Sequence, residues 1–192
     1  MIEALSNVAA AFGLSASAGL NAYLPLLIVG LMARYTDLIT LSEPWNTLEN
    51  AWVLGLLGVL LVIEMTVDKF PVVDTINDSI QTFVRPVAGA VLFAANGNVI
   101  SGVHPALALI CGLLVAGGVH AAKATARPFV TGASIGAGNP VVSTAEDVVS
   151  ASTSLLSILV PTLAVAFFVA LLALLGWWIW RRGHRRAREA VW

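Results

Sequence analysis

Apolar residues run along this chain in long unbroken blocks, far from the strict alternation of a half-buried strand. A helix needs about 20 mostly apolar residues to cross a hydrocarbon core. The first block, Val8–Ala33, carries a run of small residues, Gly13–Gly19, followed by Asn21 and Pro25. Small side chains let helices approach closely in lipid, and Pro25 predicts a kink. A polar loop, Arg34–Asn50, follows with Pro44 and Trp45; Trp45 and Trp52 read as interfacial aromatics. The second block is Ala51–Val67.

The next stretch, Asp68–Pro86, is too polar to span. Ile76, Ile80 and Phe83 recur at helical spacing, which predicts a short interfacial or re-entrant helix, Asp74–Arg85, with Asp74 as its N-cap. The apolar run Pro86–Ala95 is short. It crosses only if its helix begins near Asp78 and carries polar groups into the membrane on one face. After the turn Asn96-Gly97-Asn98 comes a fourth block, Ser101–Ala122, with His104 before Pro105 marking a helix start. A Gly/Ser/Pro-rich loop is expected over Ala126–Val142. The mixed stretch Ser143–Ser157 then leads into a fifth block, Leu155–Trp180, which contains Pro161 and ends in Trp177, Trp178 and Trp180. The pattern predicts an all-α, polytopic helical membrane protein, with about five transmembrane helices plus short interfacial or re-entrant segments.

Composition agrees. The chain has 192 residues, 58% of them hydrophobic and 11% charged, and its mean hydropathy is +0.89. Soluble domains carry about 25% charged residues. The net charge of −1 hides an asymmetry, because Arg181, Arg182, Arg185, Arg186 and Arg188 crowd the C-terminal end. Residues 1–182 are expected to form one transmembrane domain and 183–192 a basic cytoplasmic tail, by the positive-inside rule. Such a tail suits anionic lipid rather than nucleic acid. Five spans then put the N-terminus outside, with Lys69–Arg85 and Lys123–Val142 in outer loops. A lone cysteine, Cys111, allows no internal disulfide. No secretory signal peptide is visible: Glu3 stands where a basic region would be, and the first block is long enough to remain as a span.

Charge inside the apolar blocks changes the picture most. Glu64 interrupts the second block, and a carboxylate there costs a few kcal/mol unless it faces protein, water or a partner. Glu64 and Asp68 share a helical face, with Lys69 beside them; His120, Lys123 and Arg127 share another. Both clusters fall at the outer ends of their helices, so an acidic face is expected to meet a basic one. That arrangement reads either as a site binding or gating a charged solute, or as ion pairs that lock two helices.

Glu146 and Asp147 also read two ways. With Ser143 they fit a capping box at a helix start; otherwise they join Asp74 and Asp78 around a cation at the outer mouth. The glycine-rich Gly132–Pro140, which contains Asn139, suits backbone that lines a cavity. Other chemistry fails on spacing: HExxH, CxxC and GxSxG are all absent. No cofactor is implied, and a bound metal is left open.

Together, AGLNAYLPLL (Ala18–Leu27), E-x3-DK-x-P-x2-D from Glu64, FVRP-x2-G from Phe83, H-x2-K-x3-RP from His120 and GNP-x2-S-x2-ED from Gly138 resemble the bacterial membrane-protein family called domain of unknown function 4126. The likeness covers about Ala10 to Ala170. It implies a bacterial inner-membrane setting and carries no mechanism.

The residues favour a small integral membrane protein that binds or passes a small charged solute, an ion in preference to an organic metabolite. A narrow single chain makes a homo-oligomer plausible, with Gly13–Gly19 at helix contacts. The alternatives are a membrane enzyme acting on a lipid head group, held by Lys123 and Arg127, and a non-catalytic scaffold subunit.

Overall fold

The computed structural model describes residues 2–67, 71–97, 104–134, 138–160, 170–178 and 181, with the side chains at 2–6, 71–76, 78 and 97 excepted. Among these residues the elements are helical and no strand occurs. In chain order they are α1 (Ile2–Leu20), α2 (Tyr23–Tyr35), a 3-10 turn (Trp45–Glu49), α3 (Ala51–Val67), α4 (Pro71–Gly97), α5 (Pro105–Ser134) and α6 (Asn139–Leu159). Residues 170–178 are also helical.

Helix α1 is the centre, and its small residues explain why. Ala11, Leu14, Ser15, Ala16, Ser17 and Ala18 are all buried, and α1 packs on α4, α5 and α6. A Cβ on Gly19 would fall 2.5 Å from the Ala116 carbonyl, so α1 and α5 touch through backbone. The α4–α5 crossing is equally close: a Cβ on Gly112 would strike the Gly89 carbonyl, and one on Gly89 would strike Ala116. The run Gly13–Gly19, expected at contacts between copies, is thus consumed inside the chain.

Contacts fix the helix directions. Thr82 meets His120, Pro86 faces Gly117 and Gly89 faces Gly112, so α4 and α5 are antiparallel. Helix α1 is antiparallel to α4, through Ser15 with Gly89 and Phe12 with Phe93. It is also antiparallel to α6, through Ser17 with Ser150 and Ser154. The start of α4 and the end of α5 therefore lie at the same end of the bundle, as the sequence-based topology requires.

Three elements differ from expectation. Val8–Ala33 is not one helix kinked at Pro25. It breaks earlier, between Leu20 and Tyr23, because the Asn21 side-chain oxygen accepts the Leu24 amide at 3.0 Å and starts a new helix. The short helix with Asp74 as N-cap is instead the first half of the 27-residue α4, which begins at Pro71 and runs through Pro86. Proline removes one i→i−4 hydrogen bond, and packing on α1 and α5 sustains the helix across that gap. Most of the expected loop Ala126–Val142 is helix, since α5 continues through Pro128 to Ser134 and α6 starts at Asn139; residues 135–137 lie outside the described residues. Pro140 suits that first turn, and the Ser134 hydroxyl accepts the Gly138 amide at 3.0 Å. Ser143–Ser157 is then helix interior, and Pro161 lies outside the described residues.

Charged and polar groups share the interior with a core of small apolar residues, while many large apolar side chains lie outside. Trp52, Leu56, Val59, Val62 and Ile63 are exposed along α3, and Leu107, Ile110, Leu113 and Leu114 along α5. Only 22% of the most apolar window of α5 is buried. Among the described residues α5 is the one helix long and apolar enough to cross a membrane; Asn7–Leu20, Tyr23–Tyr35 and Ala51–Val67 are shorter apolar helices. Trp177 and Trp178 are half exposed, and the Arg181 guanidinium lies over the Trp177 ring.

Candidate functional site: a buried polar layer

Helix α4 turns Gln81, Arg85, Ala88 and Leu92 inward, at spacings of four, three and four. This face places Arg85, fully buried, against Glu64 near the end of α3. Nη2 of Arg85 donates to Oε1 of Glu64 at 3.0 Å. Its Nη1 lies 3.1 Å from Nδ1 of His120 on α5, and Nε2 of His120 lies 3.1 Å from the Thr82 hydroxyl. A guanidinium only donates. Nδ1 of His120 must therefore accept, which leaves the proton on Nε2 and the imidazole neutral.

The second half surrounds the break between α1 and α2. Nζ of Lys123 lies 3.2 Å from the Leu20 carbonyl and 2.8 Å from Oε2 of Glu146. Arg127, one turn further along α5, lies 3.5 Å from the same Glu146 oxygen. Nδ2 of Asn21 donates to Oδ1 of Asp147 at 2.9 Å, so Asn21 ties α6 to the new helix start. His120, Lys123 and Arg127 are all buried on one face of α5 and join the two halves. Below them Ser17, Ser150 and Ser154 form a hydroxyl cluster between α1 and α6. The Ser143 hydroxyl, 1% exposed, has no hydrogen-bond partner among the described residues.

The structure brings together Glu64, His120, Lys123, Arg127, Glu146 and Asp147 from the sequence-based set. The direct meeting of Glu64 with the α5 cations is corrected: its ion pair is with Arg85, which reaches His120 in turn. Glu146 is corrected as a capping-box member, since it lies within α6 and pairs with Lys123. Asn139 is buried at the start of α6, where its side-chain oxygen accepts the Thr131 hydroxyl at 3.0 Å. Asp68 and Lys69 lie outside the described residues, as do the side chains of Asp74 and Asp78. His104 caps α5, its Nδ1 accepting the Ala106 amide. No group of three His, Cys, Asp or Glu residues suited to a metal occurs among the described residues.

Arg85 and Asn21 are the functional candidates that sequence reasoning missed. Of the two readings offered, a short helix Asp74–Arg85 or one that runs from near Asp78 into Pro86–Ala95, the continuous helix is the one present, and it gives Arg85 its inward place. Its inward spacing with Gln81, Ala88 and Leu92 was visible once that helix is allowed to continue. Asn21 offered only its position within an apolar block.

Comparison with known proteins gives a family. The profile of the domain of unknown function DUF4126 matches residues 8–182, which takes in every element described above except the first residues of α1. No curated protein and no solved structure matches the chain. The chain belongs to the DUF4126 family.

Proposed function

With that membership as premise and no activity attached to it, we propose that the chain is a multi-pass helical membrane protein that binds or passes a small ion through its buried polar layer. The observation that carries this reading is the inverted distribution of polarity. Glu64, Arg85, His120, Lys123, Arg127 and Asp147 are buried between helices whose outer faces are apolar. In water the reverse arrangement is the rule. In a bilayer, charged side chains turn to the bundle interior and mark ion or proton pathways. The break between α1 and α2 supports the same reading. Discontinuous helices place backbone polar groups at ion sites of transporters, and irregular backbone at membrane depth is tolerated where protein covers it.

In this scheme Arg85 and Lys123 hold the layer neutral at rest, and an ion enters by displacing one of them from its carboxylate. The arginine-rich tail stays on the cytoplasmic side of a bacterial inner membrane and meets anionic lipid there. The test is flux in proteoliposomes with a panel of mono- and divalent ions and protons, comparing wild type with Glu64→Gln and Lys123→Ala. The reading expects at least one ion whose flux both variants reduce tenfold or more. Unchanged flux for every ion would remove it and leave a scaffold whose ion pairs only hold helices together.

A further inference from the structure

The end of α1 has an unusual occupant. Where a helix stops, its last carbonyls have no helical N–H donors, and that end carries partial negative charge. Helix α1 stops at Leu20 inside the bundle. The Leu20 carbonyl is met at 3.2 Å by the Lys123 ammonium, which on its other side lies 2.8 Å from Glu146 Oε2. Lys123 is 7% exposed. Unwound backbone carbonyls and half-helix C-terminal ends coordinate sodium in broken-helix transporters, and here a carboxylate from a facing helix stands beside such a carbonyl.

Size points to the same class of ion. The separations of 2.8 and 3.2 Å are those of the ammonium now seated; a cation that replaced it without moving the oxygens would need a similar radius, larger than that of calcium, which holds oxygens at roughly 2.3–2.6 Å, or magnesium, at roughly 2.0–2.1 Å. An ammonium group is close to potassium in radius. The oxygens also owe their places to other contacts. Leu20 is on α1 and Glu146 on α6, and these two helices are joined by Ser17 with Ser150 and Ser154 and by Asn21 with Asp147. Lys123 reaches in from α5 on a flexible four-carbon stem. The backbones that carry the two oxygens are thus joined without Lys123, while the Glu146 carboxylate is also met by Arg127 at 3.5 Å.

We propose that the Leu20 carbonyl and the Glu146 carboxylate form a seat for a potassium-sized monovalent cation, which the Lys123 ammonium fills as a tethered ion. A free cation takes the seat when the ammonium is withdrawn or removed. The inference deepens the ion-binding reading above and rests on it for its purpose, while the seat itself is read by binding.

The experiment uses purified full-length protein in detergent. Thermal unfolding of wild type and Lys123→Ala is followed in potassium, ammonium, sodium and choline chloride at equal ionic strength, and in butylammonium chloride. Wild type should melt alike in all of them. Lys123→Ala should melt lower in choline, and its Tm should rise by several degrees, saturably, with potassium or ammonium and less with sodium. Adding Glu146→Gln should abolish that rise. Lys123→Met, which keeps most of the stem, gives the same readout if the alanine variant does not accumulate.

Equal melting of the variant in potassium and choline overturns the proposal, as it would if Arg127 moved onto Glu146 instead. Rescue by butylammonium alone overturns it too, since the space would then fit a lysine and not an ion. So does failure of both variants to accumulate in potassium-containing medium. The two readings fail separately: a potassium effect without any flux keeps the seat and removes ion passage, and flux without a potassium effect does the reverse.

Discussion

Arg85 and Glu64 are 0% and 1% exposed, at 3.0 Å, and removing either charge alone should be far worse than removing both. Arg85→Met keeps the apolar stem and takes away the donors to Glu64 and to Nδ1 of His120. Breaking a buried ion pair from one side costs about 3–5 kcal/mol, and the lost bond to His120 adds about 1 kcal/mol. Glu64→Gln keeps an oxygen that can accept from Arg85 but leaves a buried cation uncompensated, at a cost of about 3 kcal/mol. Independent effects would sum to roughly 7–9 kcal/mol. The double variant buries no unbalanced charge. Because neutral replacement of a buried pair is often close to neutral, it should lose no more than about 3 kcal/mol. The coupling is then at least about 4 kcal/mol, above the usual range for touching residues because two full charges are involved. The assay is reversible unfolding in bicelles by steric trapping, for wild type, both singles and the double. A double variant as unstable as the sum of the singles would refute the account, and so would singles that each lose less than about 1 kcal/mol.

Three further outcomes follow from other contacts. Selective 15N labelling of histidine should show His120 as the neutral Nε2–H tautomer at pH 7, and Arg85→Met should release that preference; an Nδ1–H tautomer in wild type would contradict the Arg85 contact. Gly112→Leu should cost more than the usual 1–3 kcal/mol or so of overpacking, because its new side chain meets the Gly89 carbonyl and Phe93. Gly118→Leu, on the same helix with open space around it, should change stability by less than about 0.5 kcal/mol, and both are read by thermal unfolding. Asn21→Leu removes the cap on Leu24 and the bond to Asp147. It should destabilise by about 2–3 kcal/mol, whereas Asn21→Asp, which keeps the cap, should fail to recover the Asp147 contact and stay destabilised.

Helix class was legible throughout. The apolar blocks are too long and too continuous for strands, and Ala51–Val67 emerges as α3 with the expected bounds. The cationic face of His120, Lys123 and Arg127 was also legible, since helical spacing survives in any bundle. Proline and glycine misled. Pro86, Pro128 and the glycines of Gly132–Pro140 are local signals for ends and loops, yet α4 and α5 run through both prolines. Conversely, nothing local marks Asn21 as a break more strongly than Pro25.

Composition alone dictates that polar and charged groups must be sheltered, because so few of them stand among so many apolar residues. It did not determine who shelters whom. Glu64 was always an expensive carboxylate in an apolar helix, and any of several cations could have answered it. Only the antiparallel packing of α4 on α5, closed down to the glycine contact at Gly89 and Gly112, puts His120 behind Arg85, and only the placement of α3 against α4 puts Glu64 in front of it. Pairing is a matter of which faces meet at which depth. Backbone approach and helix direction set that, and neither is written in the spacing of one helix.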